Sequence, residues 1–417
     1  MRSLLWIALL LVAAQPVRSE PIQTLAQAYA AAWQRQPVAQ AVGERENALR
    51  ARRSAADALT PQPPSIELGG RSDRLNSDRG VMEQQVGLVL PLWLPGERSA
   101  SQALAEAEMS ALDGRMAALR LQLAGEVRDA WWGWQLAGNE QALVAARVAA
   151  ARRLLDDVAR RVAAGDLSRA DRHQAAGALA AAQAQQAEAE VVLEAARFRL
   201  QTLTGQLPIT AGPVAEPLAG GMPGTELANA SADASVLESA NAHPLLRELQ
   251  TRGDVSRRSL ELTRAQSRNN PEIAVATRRE RSLAGEAMEQ SWGLALRIPF
   301  SSGARNEARL AEANADLIES RLQFERQGER LGSERTAAQA QLLAARKLLA
   351  AAELRVQLAG ENRGFFAKSF RLGETDLPTR LRIELEAFEA ERQASRARIH
   401  LAQRISAQRQ ALGLLPE

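Results

Sequence analysis

Met82-Glu83-Gln84-Gln85-Val86-Gly87-Leu88-Val89-Leu90 is answered 206 residues later by Met288-Glu289-Gln290-Ser291-Trp292-Gly293-Leu294-Ala295-Leu296. Met, Glu, Gln, Gly and two Leu recur at fixed positions. Both copies alternate. Val86, Leu88 and Leu90 fall on one face and Gly87 and Val89 on the other. Trp292, Leu294, Leu296 and Ile298 likewise oppose Gly293, Ala295 and Arg297. Strict alternation over this length indicates a strand with two different faces. Other landmarks keep the register within a residue or two. Gln36-Pro37 is matched by His243-Pro244, Pro64-Ser65-Ile66 by Pro271-Glu272-Ile273, and Gly165 by Gly373. Half of the chain therefore copies the other half. The period far exceeds the roughly 20–50 residues of common solenoid repeats.

Long helical stretches flank these strands. No proline interrupts Gly96–Ala164 or Gly303–Arg371. Met109, Leu112, Met116, Leu119 and Leu123 are spaced three and four apart, and Leu310, Leu317, Phe324 and Leu331 seven apart. These are coiled-coil seams. At ~1.5 Å per residue each stretch spans roughly 100 Å, against about three turns for an ordinary globular helix. Each ends in a glycine turn, Gly165-Asp166-Leu167-Ser168 or Gly373-Glu374-Thr375-Asp376. There Gly supplies a left-handed cap, and Ser168 or Asp376 caps the returning helix.

The spacing predicts a mainly α fold with a small β part, built from a duplicated helix–strand–strand–long helix–helix module. The first repeat covers 20–205, with strands about 64–71 and 82–93 and a long helix about 97–163. A Pro/Gly-rich linker covers 206–236. The second repeat covers 237–413, with strands about 271–281 and 287–299 and a long helix about 304–370. Residues 1–19 read as a secretory signal peptide: a basic start, an apolar run from Leu4 to Ala14, then small residues before a polar one.

No later segment offers an uncharged apolar run of spanning length, about 20 residues. A mature chain that crosses a membrane must then do so by closed β-strands. Alternation of apolar and small or polar residues suits strands with lipid outside and water inside. The absence of cysteine excludes disulfides, thiolate metal sites and cysteine nucleophiles. The formal charge is +3, and the charges are spread along helices. No concentrated basic patch marks a nucleic-acid footprint.

No catalytic constellation is visible. The three histidines, His173, His243 and His400, are isolated in sequence. Gly69-Gly70 and Gly220-Gly221 lack the strand–helix context of a phosphate loop. Met82 and Met288 share a repeat position, and methionine suits soft cations, but strand-end packing accounts for them. Trp131, Trp132 and Trp134 read as packing against short flanking helices. The chain thus reads as a non-enzyme without cofactor or resident metal.

A signal peptide, two copies of this module and an X-Pro near the start of each resemble the TolC-like outer-membrane efflux family, over essentially the whole mature chain. Residues 91–98, Pro-Leu-Trp-Leu-Pro-Gly-Glu-Arg, and 297–305, Arg-Ile-Pro-Phe-Ser-Ser-Gly-Ala-Arg, are similar to strand-to-helix junctions of its CzcC-like branch, which serves heavy-metal and related cation pumps. The resemblance implies a homotrimer whose four strands per chain close one twelve-stranded transmembrane β-barrel above a trimeric α-helical periplasmic barrel, a tunnel. It implies a passive outer-membrane exit duct in a tripartite efflux pump, with a periplasmic adaptor (membrane fusion) protein and an inner-membrane RND-type pump as partners. The same fold also serves as an exit duct in protein or polysaccharide secretion systems. A pore-free periplasmic scaffold is disfavoured by the alternating strands.

By position, the resemblance implies adaptor docking at Gly165, Asp166, Leu167, Gly373, Glu374 and Thr375. The acidic ring of known members is not matched, since Thr379 and Arg382 stand there. Asp171, Glu374 and Asp376 are the acids available as gate residues. The lipid-facing set expected from the alternation is Val86, Leu88, Leu90, Trp292, Leu294, Leu296 and Ile298.

Overall fold

Proline and glycine set the element boundaries. Pro37 and Pro244 occupy the first helical turn of their helices, where a missing N–H costs nothing. Gly165 and Gly205 take left-handed conformations, with φ of 89° and 76°, just past two helix ends. The computed structural model of the chain describes residues 22–76, 79–208, 216–217, 243–300 and 303–417. The signal-peptide reading and most of the linker lie outside these residues.

The first repeat contains α1 (Leu25–Gln34), α2 (Pro37–Asp57), β1 (Ser65–Ser72), β2 (Met82–Pro91), α3 (Glu97–Ala164) and α4 (Arg169–Thr204). The second contains α5 (Pro244–Ala265), β3 (Glu272–Arg281), β4 (Glu289–Arg297), α6 (Gly303–Arg371) and α7 (Leu377–Ala411). The fold is mainly helical with one four-stranded antiparallel sheet in the order β1-β2-β3-β4. Among the described residues, β1 and β4 are unpaired edges. No described helix is long and apolar enough to cross a membrane.

The repeats interlock rather than stand side by side. Toward the sheet, contacts run α2–α3–α5–α6; away from it they run α4–α3–α7–α6. The largest core lies midway, where α1 meets the centre of α3. Leu25, Ala28 and Ala32 pack on Leu123, Val127, Trp131, Trp132 and Trp134, with Leu200 and Ile399 closing the cluster. Trp131 and Trp134 meet edge-on at 5.2 Å, and Trp132 Nε1 donates to Ser406 Oγ at 2.8 Å. The three tryptophans therefore hold the short α1, and with it α4 and α7, against the long α3.

A buried charge cluster joins distant segments at this level. Arg128 donates from Nε and Nη2 to both Glu216 carboxylate oxygens, at 3.0 and 2.7 Å. Arg409 Nε approaches the same carboxylate at 3.5 Å. Arg128 also donates to Gln410 Oε1 and Leu414 O, and Arg409 to Pro217 O. Arg128, Glu216 and Arg409 are 3–5% exposed. One linker carboxylate thus ties α3, α7 and the C-terminal residues together. His243, likewise buried, caps α5 by accepting at Nδ1 from Leu245 N.

Candidate functional site

Two regions carry the residues singled out by the sequence, the sheet and the helix tips. In an antiparallel ladder, directly paired residues point to the same side. The register pairs Leu68 with Val86, Thr277 and Trp292; Ile66 with Leu88, Val275 and Leu294; and Leu90 with Ile273 and Leu296. Apart from Thr277, one face is apolar in these rows, across four strands in the first two and three in the third. Its large side chains are solvent-exposed in the single chain, except Leu90 and Ile273, which are half-buried. Ile298 lies just past the end of β4.

The other face is different at every row. Its middle rows hold Glu67, Gly87, Ala276 and Gly293, then Ser65, Val89, Ala274 and Ala295. Gly87 and Val89 are buried. One end of this face aligns Arg71, Glu83, Glu280 and Glu289. The adjacent Arg278 bridges Glu83 at 3.0 Å and Glu280 at 3.5 Å. At the opposite end Arg297 pairs with Glu272 at 3.2 Å. The two loops beyond the charged end brace each other: Ala284 N donates to Arg79 O, and Arg281 Nε to Gly80 O.

At the far ends of the long helices the tips are built from caps. Gly165 N–H bonds back into α3, and Asp166 N donates to Arg161 O at 2.9 Å. Gly373 (φ 80°) does the same for α6, with Glu374 N donating to Ser369 O at 3.0 Å. Ser168 and Asp171 form a reciprocal capping box at the start of α4. Asp376 accepts from Thr379 N at 3.2 Å and caps α7. Those hydrogen bonds, from Thr379 above all, hold the Asp376 carboxyl below the usual aspartate range. Asp171 and Asp376 are thus engaged in backbone caps, and Glu374 approaches Ser369 Oγ at 3.4 Å.

The two tips are stitched by residues that carry no sequence signal of their own. Arg161 of α3 donates to Phe370 O at 3.1 Å and Arg371 O at 3.2 Å, satisfying the orphan carbonyls at the end of α6. Arg161 and Arg380 both stack on the buried Phe370 ring, at 5.1 and 4.7 Å. Desolvation lowers the Arg380 pKa, and the ring face substitutes for hydrogen-bond acceptors at its covered Nε and Nη1. The docking expectation also overlooked an asymmetry. Leu167 is tucked against the tip core of Val158, Ala175, Phe370 and Leu377. Leu372, beside Gly373, is 74% exposed.

Among the described residues no group of three or more His, Asp and Glu side chains could hold a metal ion. Thr379 and Arg382 stand past the second tip as the sequence places them, and Arg382 pairs with Glu386 at 3.2 Å.

Residues 27–206 match the family model described as outer membrane efflux protein. No protein of curated function matches the chain in sequence. Solved structures match its fold along nearly the full length. CusC, whose structures concern folding and transmembrane channel formation, superposes with a TM-score of 0.73 at 16% identity, over 94% of this chain and 92% of that one. The outer membrane protein VceC of Vibrio cholerae gives 0.73 at 16%, over 94% and 97%. The open state of the Neisseria gonorrhoeae MtrE outer membrane channel gives 0.72 at 16%, over 94% and 89%. At these identities the likeness is one of fold.

Proposed function

We propose that the chain, whose residues 27–206 match the outer membrane efflux protein model, is one third of a passive outer-membrane exit duct serving a tripartite efflux pump. It performs no chemistry. The sheet face of Leu88, Val275 and Leu294 meets lipid, the Gly87 and Ala276 face lines water, and the helices extend the tunnel into the periplasm. The observation that carries this reading is the four-stranded sheet itself: one continuous apolar face, a small or charged opposite face, and two unpaired edges. An open sheet edge is forbidden in lipid, and four strands cannot close a barrel alone, since the smallest need about eight. Pairing β4 of one protomer with β1 of the next keeps the antiparallel alternation and closes three chains into twelve strands. The helical extension ends at the stitched tips, where the adaptor docks.

Two observations favour a metal-cation cargo, as in the CzcC-like branch. The junction residues 91–98 resemble that branch. The lumen-side end of the sheet also sets Glu83, Glu280 and Glu289 against Arg71 and Arg278, and threefold repetition makes this net-acidic set a ring that attracts cations. A deletion strain is expected to become sensitive to a subset of metal salts and to recover with the plasmid-borne gene. The purified protein is expected to form trimeric conducting channels in planar bilayers. Unchanged metal tolerance with drug sensitivity would overturn the cation assignment; a folded protein that never conducts would overturn the duct.

Adaptor docking makes its own forecast. Leu372→Asp is expected to reduce adaptor cross-linking several-fold, while Leu167→Ala, which loosens the tip core, changes it less. Trimer yield serves as the folding control. Equal retention by both variants would place docking away from the second tip.

A further inference from the structure

The sheet sorts its charges by face. On the side read as lumen, arginines stand among carboxylates: Arg278 bridges Glu83 and Glu280, Arg297 pairs with Glu272, and Arg71 shares a row with Glu83, Glu280 and Glu289. The apolar face carries two arginines of its own, at its loop end. Just beyond the row of Leu68, Val86, Thr277 and Trp292, the register aligns Gly70, Gln84, Arg279 and Gln290. The next row aligns Ser72, Met82 and Arg281. Neither row holds a carboxylate. Arg279 is exposed, and among the described residues none is a hydrogen-bond or ion-pair partner of its guanidinium. Arg281 uses only Nε, on Gly80 O at 3.0 Å. Two loop acids close by are engaged by backbone. Asp73 accepts from Arg79 N at 2.8 Å, and Glu286 from Ser282 N and Leu283 N at 3.2 and 3.0 Å.

The spacing of this set suits one small oxyanion. Arg279 and Arg281 are two positions apart on one strand, about 7 Å. Gln84 and Gln290 flank Arg279 on the neighbouring strands, where directly opposed Cβ atoms sit ~4.5–5.5 Å apart. Two guanidiniums and two amides thus converge on one patch, and the planar fork of arginine binds phosphate bidentately. The depth is equally defined. From Gln290 to Ile298 is about 26 Å of strand, or about 20 Å along the axis of a barrel whose strands tilt ~35–45°. The apolar band of such barrels is ~25 Å tall. The Arg279 row therefore stands at the outer border of that band, and a long side chain there carries its charge to the headgroups.

We propose that Arg279 and Arg281, with Gln84 and Gln290 beside them, clamp the phosphate of an anionic lipid headgroup in the outer leaflet, one clamp per protomer. This rests on the duct reading and deepens it, because it names what the outer rim of the barrel binds. One lipid molecule matches both parts of the face: acyl chains lie along the rows of Val86, Leu88 and Leu294, and the phosphate meets the guanidiniums above them. The segregation of charge has the same sense. Arginines without acids face the lipid, while the acids face the water-filled lumen, so anionic headgroups are drawn to the rim from outside.

The probe is diphosphorylated lipid A, titrated into the full-length protein in non-ionic detergent and counted on the intact trimer by native mass spectrometry. Arg279→Gln with Arg281→Gln is expected to lower its retention about tenfold. Arg297→Gln, on the water side at the opposite end of the sheet, is expected to leave retention unchanged. Wild-type protein is expected to retain dephosphorylated lipid A no better than the double variant does. That wild-type comparison holds even where the variant yields little trimer, and the SDS-resistant fraction of each preparation is the folding control. Inorganic phosphate in large excess tests the source of the anion; displacement of the lipid by it would mean a site for free phosphate and overturn the lipid assignment. Equal retention of lipid A by wild type and double variant, or equal retention of both lipids by wild type, overturns the clamp and leaves the duct standing. A folded protein that gives no trimer overturns the duct, and the clamp with it.

Discussion

Leu294→Arg is expected to abolish stable insertion of the assembled barrel, whereas Ala295→Arg, one residue along the same strand, is expected to be tolerated. Leu294 sits in the middle of three apolar rows, beside Val275, Leu88 and Ile66. An arginine on a lipid-facing strand near the bilayer midplane costs about 2–4 kcal/mol. Three protomers multiply that cost in one barrel. Ala295 belongs to the opposite face, with Ala274, Val89 and Ser65, where water solvates the guanidinium. The check is the fraction of heat-modifiable, SDS-resistant oligomer recovered from outer membranes for each variant. Equal recovery would mean that the two faces do not see different solvents, and the barrel assignment would fall.

Glu216→Ala is expected to cost about 3–5 kcal/mol, because it removes the buried carboxylate that Arg128 and Arg409 share. Arg128 and Arg409 keep backbone acceptors at Leu414, Pro217 and Leu415, and Arg409 keeps the solvent-exposed Glu417 at 3.0 Å, but no buried carboxylate remains. Breaking a buried pair is more damaging than replacing it. The triple variant Arg128→Met, Glu216→Leu, Arg409→Met is therefore expected to recover much of the loss. Arg404→Ala supplies the surface comparison. Its hydrogen bond to Gln341 is exposed, and substitutions at such sites stay within about 0.5 kcal/mol. The measurement is the midpoint of helical-signal loss in denaturant for the purified protein. A Glu216→Ala midpoint equal to that of Arg404→Ala would show that the cluster contributes little to stability.

These two sites mark what the sequence disclosed and what it withheld. The strand faces were legible because a period of two survives in both copies, and the register then needed only antiparallel pairing. The long helices were legible because unbroken three-and-four spacing has no other reading. The glycine turns were legible because a left-handed residue at a helix end is a local necessity. Glu216 was not legible: it stands in a Pro/Gly-rich stretch without period, and its partners lie 88 residues away on α3 and near the chain's end on α7. Arg161 reads as one more surface arginine until the end of α6 is brought beside it. Leu372 and Leu167 have the same residue type and similar neighbours, and only the folded tip decides which of them is hidden. The interleaving of repeats, α3 against α5 and α7 as well as α4, is likewise invisible to a reading that takes each copy in turn.

The paired lengths of the helices impose a levelling condition on the molecule. α3 and α6 have 68 and 69 residues, and α4 and α7 have 36 and 35. Such legs reach the same plane to within about one residue's rise, ~1.5 Å. Four residues inserted into α3 alone would lower one foot by about 6 Å, rotate every seam position beyond the insertion, and pull Arg161 off the carbonyls of Phe370 and Arg371. A chain of this design cannot drift in length one helix at a time. Its reach grows or shrinks only by matched whole heptads in all four helices, so in the proposed duct the depth of the tunnel is inherited as a step rather than as a gradient.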